Sequence, residues 1–333
     1  MAKEKKKLVV IIPMPGIFLL DIAGVDVFIA ADTAVNEDGG GKGGGYEILL
    51  ASPLDTKKII MKGGIEIRCP VTIKDINKPI DTLMVAGFSR QHLQSGHRFF
   101  QWLKDVYPKV RRIASVCVGT YALAEAGILD GKQATTHWQF SQEFQQKYPA
   151  VKVDTNPFYT RDGNVYTSGG VASGIDLALA LVEEDYGRNI ALRIARKLVL
   201  QLKRPGCQSQ FSQLLQVHSL ENSIAGKLYP WLIHHLTEEL GMEQLAERSN
   251  MSVRNFARVF LKETGITPAK FVEKLRIEVA RKYLEDSDLS IDQVAEKCGL
   301  NGLVSMRRTF LRHMMVSPSD YRRSFRSSLN TIE

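Results

Sequence analysis

Over the first half of the chain, short unbroken apolar runs alternate with segments of helical period. Residues 8–12, 47–51, 82–86 and 112–116 predict strands buried on both faces. Residues 25–32, 99–106 and 121–126 predict the helices between them. Strands that alternate with helices imply a parallel sheet covered on both sides. Residues 171–184 form an apolar helix that closes this region, and 188–203 continue as a basic amphipathic helix. Arg204-Pro205-Gly206 breaks that pattern. Residues 207–227, rich in Gln and Ser, read as linker, and from Trp231 onward the chain reads as all helix. The expected organisation is an α/β domain over 1–187, a basic helical segment and linker over 188–229, and an all-α domain over 230–333.

The helical half contains an internal repeat. Gln-Leu-Ala-Glu, Phe260 and Thr267-Pro268 return about 50 residues later as Gln-Val-Ala-Glu, Phe310 and Ser317-Pro318. Each copy reads as helix, tight turn, helix. Ser252 is placed to cap the second helix of the first copy. In the second copy, Ser290 with Gln293 makes a capping box and Gly299 supplies the turn. Thr267 and Ser317 precede proline at a first helical position. Two helix-turn-helix units follow, and the second helix of each is the one that would lie in a major groove. Ser252, Arg254, Asn255 and Arg258 lie on or near one exposed face of the first, with Phe256, Val259 and Phe260 inward. Ser305, Arg307 and Arg308 are exposed on the second, with Met306 and Phe310 inward. Arginine suits guanine edges and asparagine suits adenine edges. A connecting helix over 268–284 spans roughly 25 Å. With its flanking turns it can hold two reading helices about one DNA turn, ~34 Å, apart.

The formal net charge of +8 permits a nucleic-acid partner. Its distribution narrows the reading. Residues 228–333 carry 16 basic against 14 acidic side chains, whereas 188–227 carry seven basic residues against Glu221 alone. DNA recognition by the C-terminal half therefore depends on placed side chains. Cys69, Cys117, Cys207 and Cys298 form no CxxC pair, so neither a metal site nor a disulfide framework is expected, and a reducing cytoplasm fits. The basic start followed by apolar residues 8–20 imitates a secretory signal. Pro13 and Pro15 interrupt it and Asp21 ends it, so a buried first strand is expected. The glycine run at 39–45 lacks the surroundings of a phosphate loop and reads as a surface loop.

Candidate chemistry sits in the first half. Residues 111–119, Arg-Arg-Ile-Ala-Ser-Val-Cys-Val-Gly, run as a strand into a helix with Cys117 at the bend and small residues around it. That is the geometry of a nucleophile elbow, in which a helix N-terminus would lower the thiol pKa. His137 is a candidate base or orienting partner, and Asp21 a carboxylate reaching the same pocket. The Gly87 amide is a candidate oxyanion-type donor. Each has a plainer reading: Cys117 as a small buried turn residue, His137 as a satisfied core histidine, Asp21 as a helix cap.

Trp231–Phe325 resembles the AraC-type DNA-binding domain, including Thr-Pro-Ala-Lys-Phe and Ser-Pro-Ser-Asp-Tyr-Arg-Arg after the two reading helices. The family has an aromatic then glycine near Leu300 and Asn301, and a glycine near Met315. The first half resembles the class I glutamine-amidotransferase-like superfamily of PfpI/ThiJ type. The match is carried by Leu20-Asp-Ile-Ala-Gly24, Ser115-Val-Cys-Val-Gly119, Ala134-Thr-Thr-His-Trp138 and the 167–176 segment Thr-Ser-Gly-Gly-Val-Ala-Ser-Gly-Ile-Asp. Together with Arg204-Pro-Gly-Cys-Gln208, these resemble the GlxA-type regulators, which have glycine where Cys207 stands. The resemblance implies a flavodoxin-like α/β sandwich ahead of the double helix-turn-helix domain. It implies a sequence-specific transcriptional regulator governed by a small polar metabolite, betaine-like, carnitine-like or an amino acid. The implied ligand pocket comprises Asp21, Gly87, Phe88, Cys117, Val118, His137 and Trp138. Val118 stands where family enzymes commonly carry Thr or Ser, which argues against turnover. No cofactor or metal is implied. Double-stranded DNA, the effector, a homodimer partner and RNA polymerase are the expected partners. The competing reading is a cysteine-dependent hydrolase or hydratase using Cys117, His137 and Asp21, with an appended DNA-binding domain.

Overall fold

The computed structural model describes residues 5–38, 44–87, 97–212, 215 and 223–326. Phe88 and most of the glycine run therefore lie outside the described residues. Two compact units divide at Arg204–Pro205.

The first unit begins with β1 (Lys7–Pro13), α1 (Gly24–Asp38), β2 (Tyr46–Ser52), β3 (Lys58–Ile60), β4 (Glu66–Arg68) and β5 (Val71–Thr72). It continues through β6 (Thr82–Ala86), α2 (His97–Val106), β7 (Arg112–Val116), α3 (Thr120–Glu125), β8 (Gln133–Ala134), α4 (Ser141–Lys147) and β9 (Lys152–Val153). It closes with β10 (Tyr159–Asp162), β11 (Val165–Ser168) and α5 (Ser173–Lys197). Seven strands form one sheet in the order β10-β11-β7-β6-β1-β2-β5. All its pairings are parallel except the β10–β11 hairpin. Pairs β3–β4 and β8–β9 stand apart as small ladders. The Val-Val-Ile-Ile run is fully buried because β1 has strands on both sides and helices on both faces. α1 and α5 pack together at Gly24, where an added Cβ would meet Ala178 at 3.3 Å.

Arg112, 1% exposed, opens β7 inside this core. A buried guanidinium must be paired, and Asp185 of α5 meets it with both carboxylate oxygens. Asp185 also accepts the Tyr46 hydroxyl at 2.7 Å, tying β2, β7 and α5 together. The apolar and basic helices predicted over 171–203 meet at a kink at Gly187 (φ 80, ψ 167). The basic segment stops at Lys197, short of the expected 203. Val199 turns left-handed and stays 92% exposed, which lays Leu198, Leu200 and Leu202 against the core. Burial of three leucines outweighs the strain of one left-handed valine.

The second unit comprises α6 (Ile224–His234), α7 (Met242–Arg248), α8 (Val253–Thr264), α9 (Pro268–Asp286), α10 (Ile291–Lys297), α11 (Gly302–Met314) and α12 (Pro318–Phe325). It has two cores joined by α9. Phe271, Val272 and Leu275 belong to the core around Phe256 and Phe260. Ile277, Ala280 and Leu284 belong to the core around Met306, Phe310 and Tyr321. The 19 residues of α9 span about 28 Å.

Candidate ligand pocket and nucleic-acid interface

Asp21, Gly87, Cys117 and the 169–171 loop all follow the C-terminal ends of parallel strands, where open α/β sheets place their ligand sites. Cys117 adopts φ +59, the strained left-handed backbone of an elbow. Two close approaches shape the bend. A Cβ on Gly119 would fall 2.4 Å from the Val85 carbonyl oxygen, and one on Gly174 would fall 2.7 Å from Val116. Cys117 N–H donates to the Gly169 carbonyl at 3.1 Å. Its own carbonyl accepts from Thr136 Oγ1 at 3.0 Å and Thr120 Oγ1 at 3.2 Å. Thr120 Oγ1 also bonds the Thr135 carbonyl at 3.0 Å, and Thr135 N–H donates to Thr167 Oγ1 at 2.7 Å. These buried threonines position the elbow. They were absent from the expected set, although Thr135 and Thr136 stand beside His137 in the motif; buried hydroxyls between strand and turn were the available signal.

The thiol does not behave as the elbow geometry suggested. Burial pushes Cys117 up to about 12, and the neighbouring Asp21 carboxylate adds to the shift. Amides of Val118 and Val171 pull the other way but do not prevail. Desolvation opposes any charge here, so the expected thiolate is replaced by a thiol. Asp21 is itself 4% exposed. Its Oδ2 accepts Phe18 N–H at 3.0 Å, while Oδ1 is buried with no hydrogen-bond partner among the described residues. Burial raises Asp21 to about 6. It caps its own short turn, Leu19–Ile22, and not α1.

The Gly87 amide is also not a free oxyanion donor. It donates to the Val116 carbonyl at 3.1 Å, and the residue sits at φ +62 against Ile17. His137 Nδ1 accepts Gln139 N–H at 3.2 Å, leaving the neutral ring its proton on Nε2, and burial lowers its pKa. The ring packs over Gly170, where a Cβ would lie 3.2 Å from Cδ2, and against Trp138 and Phe140. His137 reaches the elbow through this loop; among the described residues it makes no hydrogen bond to Cys117. The structure thus gathers Asp21, Cys117 and Val118 with the 169–171 loop, and places His137 and Trp138 at its flank.

In the second unit, the predicted caps are present. Ser252, Thr267, Ser290 and Ser317 each accept the backbone N–H three residues on. On α8, Ser252, Arg254 and Arg258 are exposed and Asn255 is half-buried, with Arg258 bonded to the Asn255 side chain at 2.9 Å. Phe256 and Phe260 are buried and Val259 half-buried. On α11, Arg307 and Arg308 are exposed, Ser305 is half-buried, and Met306 and Phe310 are buried. Asn301 (φ +49) and Gly302 (φ +83) stand where the resemblance placed a glycine.

The segment after Pro205 is docked on the second core. Gln210 donates to the carbonyl of Met314, the last residue of α11, at 3.0 Å, and the Cys207 thiol points to the same oxygen at 3.8 Å. Arg281 of α9 donates to the carbonyls of Gln210 and Ser212 and to the Tyr321 hydroxyl. Phe211 stacks edge-on against Phe325.

Residues 21–184 match the DJ-1/PfpI family, and residues 245–324 match the helix-turn-helix domain family. The transcriptional regulator CdhR of Pseudomonas aeruginosa is 29% identical over 268 residues, 80% of this chain and 79% of that one. Isonitrile hydratase of Pseudomonas putida is 29% identical over 164 residues, 46% of this chain and 70% of the enzyme. A crystal structure of an AraC family transcriptional regulator from Pseudomonas putida superposes with a TM-score of 0.51 at 19% identity, over 58% of this chain and 99% of that one, and shares the fold. No helix among the described residues is long and apolar enough to cross a membrane. The chain thus joins a DJ-1/PfpI domain to an AraC-type helix-turn-helix domain, the organisation of a DNA-binding transcriptional regulator.

Proposed function

We propose that this regulator is controlled by a small polar metabolite bound beside Asp21 and Cys117 in a pocket that performs no chemistry. The observation that carries the reading is Asp21 Oδ1, buried and without a hydrogen-bond partner among the described residues, next to a thiol held protonated. A buried carboxylate oxygen without a partner costs free energy that a ligand's cationic group or donor would recover. A protonated thiol beside a buried carboxylate, with no hydrogen bond to His137 among the described residues, is poorly suited to nucleophilic attack.

The pocket loop is continuous along the chain with the segment that docks in the second unit. Ser173 N–H bonds the Gly170 carbonyl, and Arg204 bonds Ser173 and Asp176 and lies 4.0 Å over the Phe158 ring. The chain then passes Pro205 and Gly206 and grips the end of α11 through Gln210. A ligand that binds two loop arrangements unequally would shift this grip. On DNA, Ser252, Arg254, Asn255 and Arg258 read one major-groove segment, and Ser305, Arg307 and Arg308 the next. The protein acts in the cytoplasm as a homodimer and meets RNA polymerase at promoters. Phe18, Leu19 and Leu20 are exposed beside Ile60 and Ile65 of the β3–β4 hairpin, an apolar face that a second copy would cover. Leu19→Glu should give a monomer in sedimentation.

The test is operator binding by the full chain with betaine-like, carnitine-like and amino-acid ligands, beside Asp21→Asn, Gly206→Ala and Cys117→Ala. Asp21→Asn should abolish the ligand response yet raise the melting temperature at pH 7.5. The sign follows from the raised pKa. Stability contributed by the protonated carboxyl is complete below its unfolded value of 3.8 and is lost as pH rises through about 6. The ionised group therefore costs on the order of 3 kcal/mol at neutral pH. Gly206→Ala should uncouple ligand from DNA, because its Cβ would fall 1.3 Å from the Gln210 amide at a φ of +93. Failure of every ligand to alter DNA binding, or turnover of an isonitrile lost in Cys117→Ala, would overturn the reading.

A further inference from the structure

The two reading helices present different chemistry at the same place. Measured from the core phenylalanines that seat each helix, Arg254 precedes Phe260 by six residues and Val304 precedes Phe310 by six. Phe256 and Met306, four residues before those phenylalanines, are both fully buried, so the helices share one rotational register. Exposed stripes therefore correspond: Arg254, Arg258 and Leu261 on α8, Val304, Arg308 and Leu311 on α11. Val304 is 83% exposed and lies in the first turn of α11, the end of a reading helix that meets base edges.

Nothing in the fold accounts for a valine there. It buries almost none of its surface, and a β-branched residue in an exposed helical turn is a poorer helix former than Ala, Leu or Arg. In the major groove one base edge offers an apolar partner, the C5-methyl of thymine. We propose that Val304 is a specificity-determining residue that reads a thymine methyl in the DNA segment facing α11. The aligned Arg254 takes a guanine edge in the segment facing α8. The two halves of the operator then differ in kind: one is read by a charged fork, the other by a methyl-to-methyl contact that excludes water.

This inference rests on the DNA-reading assignment of α8 and α11, and the experiment separates the two. Full-length protein selects binding duplexes from a random pool, and each thymine of the selected site is replaced singly by deoxyuridine, which lacks only the methyl. One thymine in the half-site disturbed by Arg308→Ala should weaken wild-type binding about fourfold when demethylated, the effect of returning one buried methyl to water. Val304→Ala should bind normal and demethylated sites equally at that position, with no loss of melting temperature, because the side chain is exposed and alanine is the better helix former. Val304→Arg should shift selection there toward guanine. If Val304→Ala keeps the wild-type pattern of deoxyuridine sensitivity, Val304 reads no methyl and the inference falls while the DNA-reading assignment stands. If no duplex is selected, or Arg254→Ala and Arg308→Ala select the same site as wild type, the assignment itself falls and the inference with it.

Discussion

The two helix-turn-helix units repeat one plan but close their turns with different residues. α8 ends on Gly265 at φ +72, and α11 ends on Met315 at φ +57. Both ends use the left-handed backbone, but only the first uses the residue that adopts it freely. At the tight turn the order reverses: the first unit uses Asn250 at φ +52, the second Gly299 at φ +65. The surroundings explain Gly299, since a Cβ there would stand 1.9 Å from the Leu236 carbonyl oxygen. At Met315 no such crowding is evident; its side chain is 61% exposed, and the strain is borne by packing elsewhere in α11. α11 also has 13 residues to the 12 of α8, and the extra residue lies at its start, where Asn301 and Gly302 turn left-handed. The comparison teaches that a repeat keeps backbone path and core anchors while its glycines differ in cause: crowding dictates Gly299, whereas Gly265, with nothing within 4 Å of an added Cβ, serves the left-handed backbone alone.

The largest expected effects test the core anchors. Phe260→Ala and Phe310→Ala should each cost about 3–5 kcal/mol in denaturant titrations. Equal losses would support two equivalent cores joined by α9, and a loss below ~1 kcal/mol in either would break the equivalence. Next come the turns. Gly299→Ala should cost at least ~2 kcal/mol, because the new Cβ collides with backbone that cannot step aside. Asn250→Gly should be nearly neutral, as asparagine already tolerates the left-handed region. The helix ends should give opposite signs: Gly265→Ala should destabilise by about 1 kcal/mol and Met315→Gly should stabilise by about 0.5–1 kcal/mol in thermal melts. The smallest difference concerns the caps. Ser290→Ala should cost about 1 kcal/mol and Ser252→Ala about half of that. Ser290 makes a reciprocal box with Gln293 at 3.1 and 2.8 Å, while Ser252 accepts one bond at 3.4 Å. Equal costs would sink the claim that the box matters.

Much of the fold was legible. Strands Thr82–Ala86 and Arg112–Val116 form where the apolar runs predict them, and the capping serines sit where their bonds are made. The β10–β11 hairpin was not foreseen, although Asp162-Gly163 between strand-like residues is a hairpin signal; Gly163 takes φ +61 in a two-residue loop. Residues 207–212 read as linker because Gln and Ser carry no apolar pattern. They dock through backbone carbonyls and one amide, which composition does not display. In the pocket, the elbow at Cys117 and the nearness of Asp21 were readable from motif. The spent Gly87 amide and the threonine cluster were not.

What the sequence determined by itself is therefore the set of features made within a few residues: the repeat, the caps, the left-handed turns and the buried strand runs. Only the tertiary structure decided the state of Cys117, the orphaned oxygen of Asp21, the bond that occupies Gly87, and the seat of Gln210 on Met314. The physical reason is range. Hydrogen bonds inside a turn depend on neighbours in sequence. Desolvation, by contrast, is set by everything packed around a group, and the groups around Cys117 come from residues 21, 118, 136, 169 and 171 at once.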